Sequence, residues 1–520
     1  MDRLSSHCQP TQQDRNVKTP QAVVDQLTCS RRWLALAVLL WPLLALLGCC
    51  VGPDYIGPKT PMLPDAFSSA AADEAIESDE LSYWWEHFHD PVLTGLIDSA
   101  VRQNLDLQES FYRVAEARAA AGVVKGNLFP KIGANGQDTY RKSSNNAREF
   151  VPINAASQAY DLMNVGIDST WEIDVFGGLR RALEAANRDA AAYDHARKFM
   201  QVVLTADVAI NYIKIRQLQS RAAILETNLA TQEHTLNTLM NRGALTGELD
   251  IREARARLRA SRAQQPALRR DIRVAANHLA VLLGMPPTDL IDDLVGTGPF
   301  PEFDGALAVG VPVQLLCRRP DIWEAERRLA AASSRIGVAK SDLYPKVTLT
   351  GNVGVDTRDI ASLFTAQSIS HSLGPSFRWN LLSFGRVLQN VKVYELRYTQ
   401  ARLQLLQRIL EAVEQVDNGL VAYHESLAEL TEHQGAAEDF AKVVELVQLR
   451  NKSVAGANGG NQGVDTIYRL LQAQLNLLQA QDRAAISQGN ALIAIVETYR
   501  ALGGGWEYTP IPVVEVDSID

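Results

Sequence analysis

The residue whose setting most clearly specifies a chemistry is Cys49. It follows Leu46-Leu47-Gly48 at the end of an uncharged apolar run, Trp33 to Leu47, which Arg31 and Arg32 precede. A basic flank, a short apolar core and a small residue before the cut compose an export signal. As a helix the run spans roughly 22 Å, short of the ~30 Å hydrocarbon core, and Pro42 weakens it further as a membrane anchor. Leu-Leu-Gly-Cys has the form of a lipobox, in which the cysteine is diacylated and becomes the new N-terminus. Each buried methylene then contributes about 0.8 kcal/mol, so several acyl chains hold firmly. The polar residues 1–30 play no part in the fold.

No other group of residues specifies a reaction. The remaining cysteines, Cys8, Cys29, Cys50 and Cys317, give neither a metal-ligand spacing nor a disulfide framework. There is no HExxH, GxSxG, Walker A or Cys-x-x-Cys pattern. Gly503-Gly504-Gly505 closes a helical segment and opens none, so it is no phosphate loop. His87 and His89 lie among tryptophans and read as packed or surface residues, not metal ligands. Arg318, Arg319 and Asp321 read as an interhelical or capping cluster. Asp250 and Asp465 each follow a Gly-rich break, where Asp is favoured as a helix N-cap. The expectation is therefore a protein that is not an enzyme and carries no cofactor or metal.

The elements that position these residues come from a duplication. Gly122-Val-Val-Lys-Gly-Asn-Leu-Phe-Pro-Lys-Ile132 matches Gly337-Val-Ala-Lys-Ser-Asp-Leu-Tyr-Pro-Lys-Val347, with six of eleven positions identical at an offset of 215. Trp171…Phe176-Gly177 matches Trp379…Phe384-Gly385 at 208, and Asp250 matches Asp465 at 215. Three ordered matches make the chain a unit of about 210 residues used twice. In each copy a helix ends at Leu-Phe/Tyr-Pro, because proline disfavours helix in the residue before it. Two strands follow, and Phe-Gly then opens a long helix. Pro130, Pro345, Gly177 and Gly385 are structural residues of these junctions.

The strands alternate. From Leu162 to Val175, Met163, Val165, Ile167, Trp171, Ile173 and Val175 share one face, and Asn164, Asp168, Glu172 and Asp174 the other. In the second copy Phe377, Trp379 and Leu381 oppose Ser376, Arg378 and Asn380. Acidic residues on the polar face and tryptophan at one end favour a membrane barrel over a soluble sheet. A single-chain barrel needs about eight strands. Four strands would leave open edges that hydrocarbon does not tolerate, so if these strands are transmembrane the chain must oligomerise to close the sheet.

The helices are long. Gly178 to about Met240 and Arg386 to about Asn451 lack proline, and each is roughly 95 Å at 1.5 Å per residue. Leu406, Val413, Leu420 and Leu427 recur at heptad spacing with Leu403 and Leu410, so these helices pack along one another. They break at Arg242–Gly247 and at Ser453–Gly463, and returning helices run from Glu248 to Leu283 and from Val464 to Leu502. The net charge of -9 and the absence of a basic run argue against nucleic acid as a partner.

Several segments together resemble the TolC-like outer-membrane factor family, specifically its NodT-type lipoproteins. They are Cys49-Cys-Val-Gly-Pro-Asp-Tyr55, Trp84-Trp-Glu-His-Phe-His-Asp-Pro91, Asn104-Leu-Asp-Leu107, Leu316-Cys-Arg-Arg-Pro-Asp-Ile322, Leu470-Leu-Gln-Ala-Gln474 and Ala501-Leu-Gly-Gly-Gly-Trp506. The resemblance implies a mainly α fold with a transmembrane β-barrel. Three protomers with four strands each would form a twelve-stranded barrel, continued by a periplasmic α-helical barrel. It implies a homotrimer docked on a periplasmic adaptor and an inner-membrane pump, most often of the resistance-nodulation-division class. It also implies that Asp465 in Gly463-Val464-Asp465, and its counterpart Asp250, form a periplasmic gate, and that Gly243, Leu245 and Thr246 contact the adaptor. The second tip, Asn451–Gln462, departs from the family in length and in Gly and Asn content.

The expected organisation is a removed signal region at 1–48, a lipid-anchored N-terminal segment at 49–90, repeats at 91–300 and 301–506, and a tail at 507–520. The expected function is a passive exit duct of a tripartite efflux system for small toxic compounds, at the outer membrane and reaching into the periplasm. Rival readings are a channel for type I protein or metal-ion export, and a non-conducting periplasmic coiled-coil scaffold lipoprotein. Six Met and nine His give no metal-rich lumen.

Overall fold

A computed structural model describes residues 50–57, 81–142, 159–241, 247–287, 298–303, 318–455 and 460–508. The chain divides into two units. One comprises Met1–Gly52, Asn127–Arg181 and Gly337–Val387, and the other Pro53–Gly126, Ala182–Ile336 and Leu388–Asp520.

The first unit is a sheet of four antiparallel strands in the order β1-β2-β3-β4: β1 (Lys131–Arg141), β2 (Tyr160–Ile173), β3 (Lys346–Thr357) and β4 (Ile369–Arg378). The two hairpins, β1–β2 and β3–β4, are joined by the β2–β3 ladder, from Met163↔Thr357 to Ile173↔Val347. β1 and β4 are open edges. In the middle of the sheet Gly166 faces Gly354. A Cβ on Gly354 would lie 2.7 Å from the Val165 carbonyl oxygen and 2.9 Å from the Gly166 Cα. Backbone cannot move aside as a flexible side chain can. Gly354→Val is therefore expected to disrupt the β2–β3 ladder and sharply reduce folded protein in the membrane fraction, whereas Gly374→Ala, where a Cβ meets open space, is expected to be tolerated. Immunoblots of fractionated cells check both.

The second unit is helical. It takes in α1 (Pro91–Gln103), α2 (Leu105–Gly126), most of α3 (Gly178–Asn241), α4 (Glu248–Arg262), α5 (Gln264–Leu282), most of α6 (Pro320–Ser341), nearly all of α7 (Arg386–Ala455), and α8 (Gly460–Leu502). The Asp90 carboxylate accepts from the Val92 and Leu93 amides and Pro91 opens α1, a favourable start because proline lacks only a donor that would be unpaired anyway. Asn104 ends α1 and caps α2 through the Leu107 amide. α2 and α6 stop at Gly126 and Ser341, four residues before Pro130 and Pro345.

The core of this unit is aromatic at one point. Trp84, Trp85 and Phe88 are buried, and Trp84 stacks on Tyr499 at 5.5 Å. His87 is half-buried beside them and His89 is exposed.

Five expectations are corrected. β4 ends at Arg378, so Trp379 and Leu381 lie outside the strand; β3 offers partners only as far as Arg378. β2 likewise ends at Ile173, short of Val175. The second break is shorter than Ser453–Gly463, since α7 runs to Ala455 and α8 starts at Gly460. Extending a formed helix needs no new nucleus, so each glycine there carries only its own propensity cost of roughly 1 kcal/mol. Finally, the stripe of α7 that faces its own chain is Leu405, Ile409, Ala412, Val416 and Leu420, while Leu403, Leu410 and Leu427 are exposed. The returning segment from Glu248 is two helices, divided at Ala263.

Candidate functional site: a two-faced sheet and its junctions

Cross-strand register collects side chains of one kind on each face of the sheet. On one face lie Ala134 and Ile132, Ile167 and Val165, Val353 and Val355, and Leu373 and Ile369. Trp171↔Leu349 and Val347↔Phe377 continue it toward the helices. Ile167, Val353, Leu373 and Phe377 are all more than half exposed. The opposite face is polar. The Asn135 amide donates to Asn164 at 2.9 Å, Asn164 donates to Asp356, and Ser372 donates to Asn352. Side chains on this face satisfy one another across three ladders, while the other face is mostly apolar, with Asp138, Ser169 and His371 among it. Such a sheet suits a boundary between lipid and water.

The strand–helix junctions are built alike in the two copies. The Trp171 indole N–H donates to the Leu128 carbonyl at 2.9 Å, and the Trp379 indole N–H to the Leu343 carbonyl at 3.0 Å. These tryptophans are thus held by the Leu-Phe/Tyr-Pro turns as well as standing at one end of the sheet. Phe176 stacks on Tyr344 with ring centroids 4.6 Å apart. Asp174 caps α3, accepting from the Leu179 and Arg180 amides at 3.1 and 2.9 Å. Sequence reasoning placed Asp174 on a polar strand face and missed this role; an Asp four residues ahead of the Gly178 helix start was the available signal.

The residue after Cys49 sits at the first junction. Gly177, at φ 78°, approaches Cys50 so closely that a Cβ there would lie 2.7 Å from the Cys50 Cα. The Val51 amide donates to the Phe176 carbonyl at 3.1 Å. Cys49 itself lies outside the described residues.

The helical tips are placed in part. Gly243, Leu245 and Thr246 lie outside the described residues. Gly247, not Asp250, is the N-cap of α4; Asp250 is the third residue of that helix, and its amide donates to the Gly247 carbonyl at 3.1 Å. Asp465 falls five residues beyond the start of α8, so it is no N-cap either. An acidic side chain within the first turn still interacts favourably with the helix dipole at Asp250.

In the helical unit, Arg319 and Asp321 form the expected cluster, buried and bidentate at 3.0 and 2.7 Å. Burial raises the Asp189, Asp207 and Glu324 carboxyls above their usual range and outweighs the arginines beside them. Burial, then a hydrogen bond to Asp98, pushes the Tyr508 phenol up to about 12. The three carboxyls lie on helices of this unit, with Arg335 beside Asp189, Arg500 beside Asp207 and Arg328 beside Glu324. Among the described residues, no three His, Cys, Asp or Glu side chains converge as metal ligands would.

The pattern of the outer membrane efflux protein family matches residues 96–285 and again 311–504. Nodulation protein T of Rhizobium leguminosarum bv. viciae is 30% identical over 464 residues, 88% of this chain and 90% of that protein. The toluene efflux pump outer membrane protein TtgI of Pseudomonas putida is 29% identical over 90% of this chain and 97% of its own length. Among solved structures, the outer-membrane channel OprN superimposes with a TM-score of 0.80 at 30% identity, covering 88% of this chain and all of that one. With well over half of its length matched by the family pattern and a two-faced sheet of the kind a membrane requires, the chain belongs to the outer membrane efflux protein family, the TolC-like channels.

Proposed function

We propose that three copies of this chain close a twelve-stranded barrel in the outer membrane and form the passive exit duct of a tripartite efflux system for small toxic organic compounds. The observation that carries this reading is the four-stranded sheet with one apolar face, one polar face and two open edges. Hydrocarbon does not tolerate unpaired backbone groups, and closure needs more strands than one copy has. The exposed Leu396, Leu403 and Leu410 of α7 give a second unpartnered apolar stripe for a neighbouring copy to cover. Two matched spans that begin 215 residues apart support the internal duplication.

Cys49 carries the lipid anchor at the outer membrane. A periplasmic adaptor engages the tip at Gly243, Leu245 and Thr246, and an inner-membrane pump of the resistance-nodulation-division class supplies the energy. The boundaries 1–48, 49–90, 91–300, 301–506 and 507–520 divide the chain into signal, anchored segment, two repeats and tail. Solvent and toluene efflux in the relatives' names favours small organic cargo over protein or metal ions.

The purified trimer in a planar bilayer is expected to conduct in discrete steps, and deletion of the gene is expected to sensitise cells to organic solvents or antibiotics. A protein that conducts nothing would be a scaffold. Asp465, and more weakly Asp250, closes the periplasmic end as one member of a ring of carboxylates. Asp465→Ala is expected to raise conductance and antibiotic entry; an unchanged closed state would remove Asp465 from the gate.

A further inference from the structure

The β3–β4 connection, residues 358–368, stands at the end of the sheet opposite the helix junctions, since β3 leaves α6 at Lys346 and ends at Thr357. It is braced from within. The Asp359 carboxylate accepts from the Ala361 amide at 3.1 Å, and the Ser362 hydroxyl donates to the Asp359 carbonyl at 2.9 Å. The Thr365 and Ser368 hydroxyls both donate to the Ser362 carbonyl, at 2.9 and 2.7 Å. Which side of the sheet the connection covers follows from Thr357. This residue pairs with Met163, two positions beyond Val355, so its side chain leaves the apolar face. Its hydroxyl accepts from the Asp359 amide at 3.1 Å and bonds with the Ser362 hydroxyl, and the residue is only 8% exposed although it ends the strand. The connection therefore folds over the outer edge of the apolar face, not the polar one.

We propose that this turn is a lipid-contacting rim. Ile360 and Phe364 enter the boundary between headgroups and hydrocarbon in the outer leaflet, and they continue the apolar face past its last strand pair, Val355↔Ile369. This rests on the barrel proposed above and adds to it a contact outside the strands.

Four observations support the assignment. Ile360 is 70% and Phe364 89% exposed, and large apolar side chains grouped on a surface mark an interaction site. No residue from Ile360 to Ile369 is charged. The connection's two charges lie ahead of that run and are taken elsewhere: Asp359 caps the turn, and the Arg358 guanidinium lies 4.4 Å from the centre of the Tyr160 ring, which belongs to the polar-face series of β2. The hydroxyls of Thr357, Ser362, Thr365 and Ser368 are bonded within the turn, as burial at an apolar boundary requires. A turn already held in one shape also loses little conformational freedom on insertion. Turns that closed the bore would have to lie on the polar face instead.

The test compares label positions in full-length protein, with Cys50 and Cys317 replaced by serine, in vesicles of phosphatidylethanolamine and phosphatidylglycerol. A bimane label on Phe364→Cys is expected to emit to the blue of its position in water. A spin-labelled lipid is expected to quench it several-fold more than iodide does, as it would a label on Leu373→Cys of the apolar face. A label on Ser372→Cys of the polar face is expected to show the reverse. Iodide quenching at Phe364→Cys with lipid quenching at Leu373→Cys would overturn the rim and leave the barrel standing. Iodide quenching at both would overturn both. Shielding of Phe364→Cys from both quenchers would put it against protein and also overturn the rim. Because a label could itself draw the turn toward lipid, unlabelled variants complete the test. Phe364→Asp is expected to lower the temperature at which trimers in the vesicles dissociate, with Phe364→Leu close to the parent. A position so exposed would tolerate Asp in water. An unchanged temperature in Phe364→Asp would therefore remove Phe364 from the lipid.

Discussion

Arg319→Met is expected to cost about 3–5 kcal/mol and to remove most folded protein from the membrane, because it strands a buried carboxylate. Arg319 and Asp321 are 2% and 5% exposed. The guanidinium donates to both Asp321 oxygens, to the Ala501 carbonyl at 2.6 Å and to Gln415 at 3.0 Å. One side chain thereby ties the start of α6 to α7 and to the end of α8. Methionine fills similar volume but leaves Asp321 charged, buried and without its counter-ion. The paired change Arg319→Met with Asp321→Leu is expected to recover much of the loss, since replacing a whole buried pair by apolar groups is often near neutral. Loss of helical circular dichroism with heat or denaturant, measured on all three proteins in detergent, checks the order. If the double variant were no more stable than the single one, the hydrogen bonds to Ala501 and Gln415 would carry the effect, not the stranded charge.

What the sequence made legible was what depends on local pattern. Identical residues aligned the two halves of the sequence, and the offsets of 215 and 208 relate the β1–β2 ladder to the β3–β4 ladder pair by pair. The absence of proline marked α3 and α7, and alternation sorted Met163, Val165 and Ile167 from Asn164 and Asp168. What it hid depends on distant partners. Arg319 was visible as a charged cluster, but Ala501 lies 182 positions away and nothing local announces it. In α7, Leu403 and Leu410 have the same seven-residue spacing as Leu405 and Ala412. Spacing alone does not say which stripe meets the chain's own core and which is left for another molecule. The end of β4 was misjudged for a related reason: alternation continues through Trp379 and Leu381, yet a strand exists only as far as another strand pairs with it. The second tip was misjudged from composition: α7 runs to Ala455 and α8 starts at Gly460 even though Gly and Asn are poor helix formers.

Cys49→Ala is expected to abolish incorporation of labelled palmitate completely, and loss of the anchor is expected to leave the protein in the outer membrane. The first half follows from the Leu46-Leu47-Gly48-Cys49 context, because only a thiol at that position can take the diacylglycerol. The second half separates a barrel from an anchored scaffold. A scaffold would be held by its acyl chains alone, at about 0.8 kcal/mol per buried methylene. A closed barrel adds the exposed apolar face of every strand, Ile132, Ile167, Val353 and Leu373 among them, three times over. Cys50 and Val51 lie against the Phe176-Gly177 turn at the end of the sheet. Because an unacylated precursor would keep its apolar leader as a tether, the second measurement needs an ordinary cleavable leader fused ahead of residue 50, with Cys50→Ser. Trimers of that variant are expected to stay with the membrane through alkaline extraction. Palmitate on Cys49→Ala would end the anchor assignment, and recovery of the leader-swapped protein in the soluble periplasmic fraction would end the barrel, since twelve lipid-facing strands have no stable place in water.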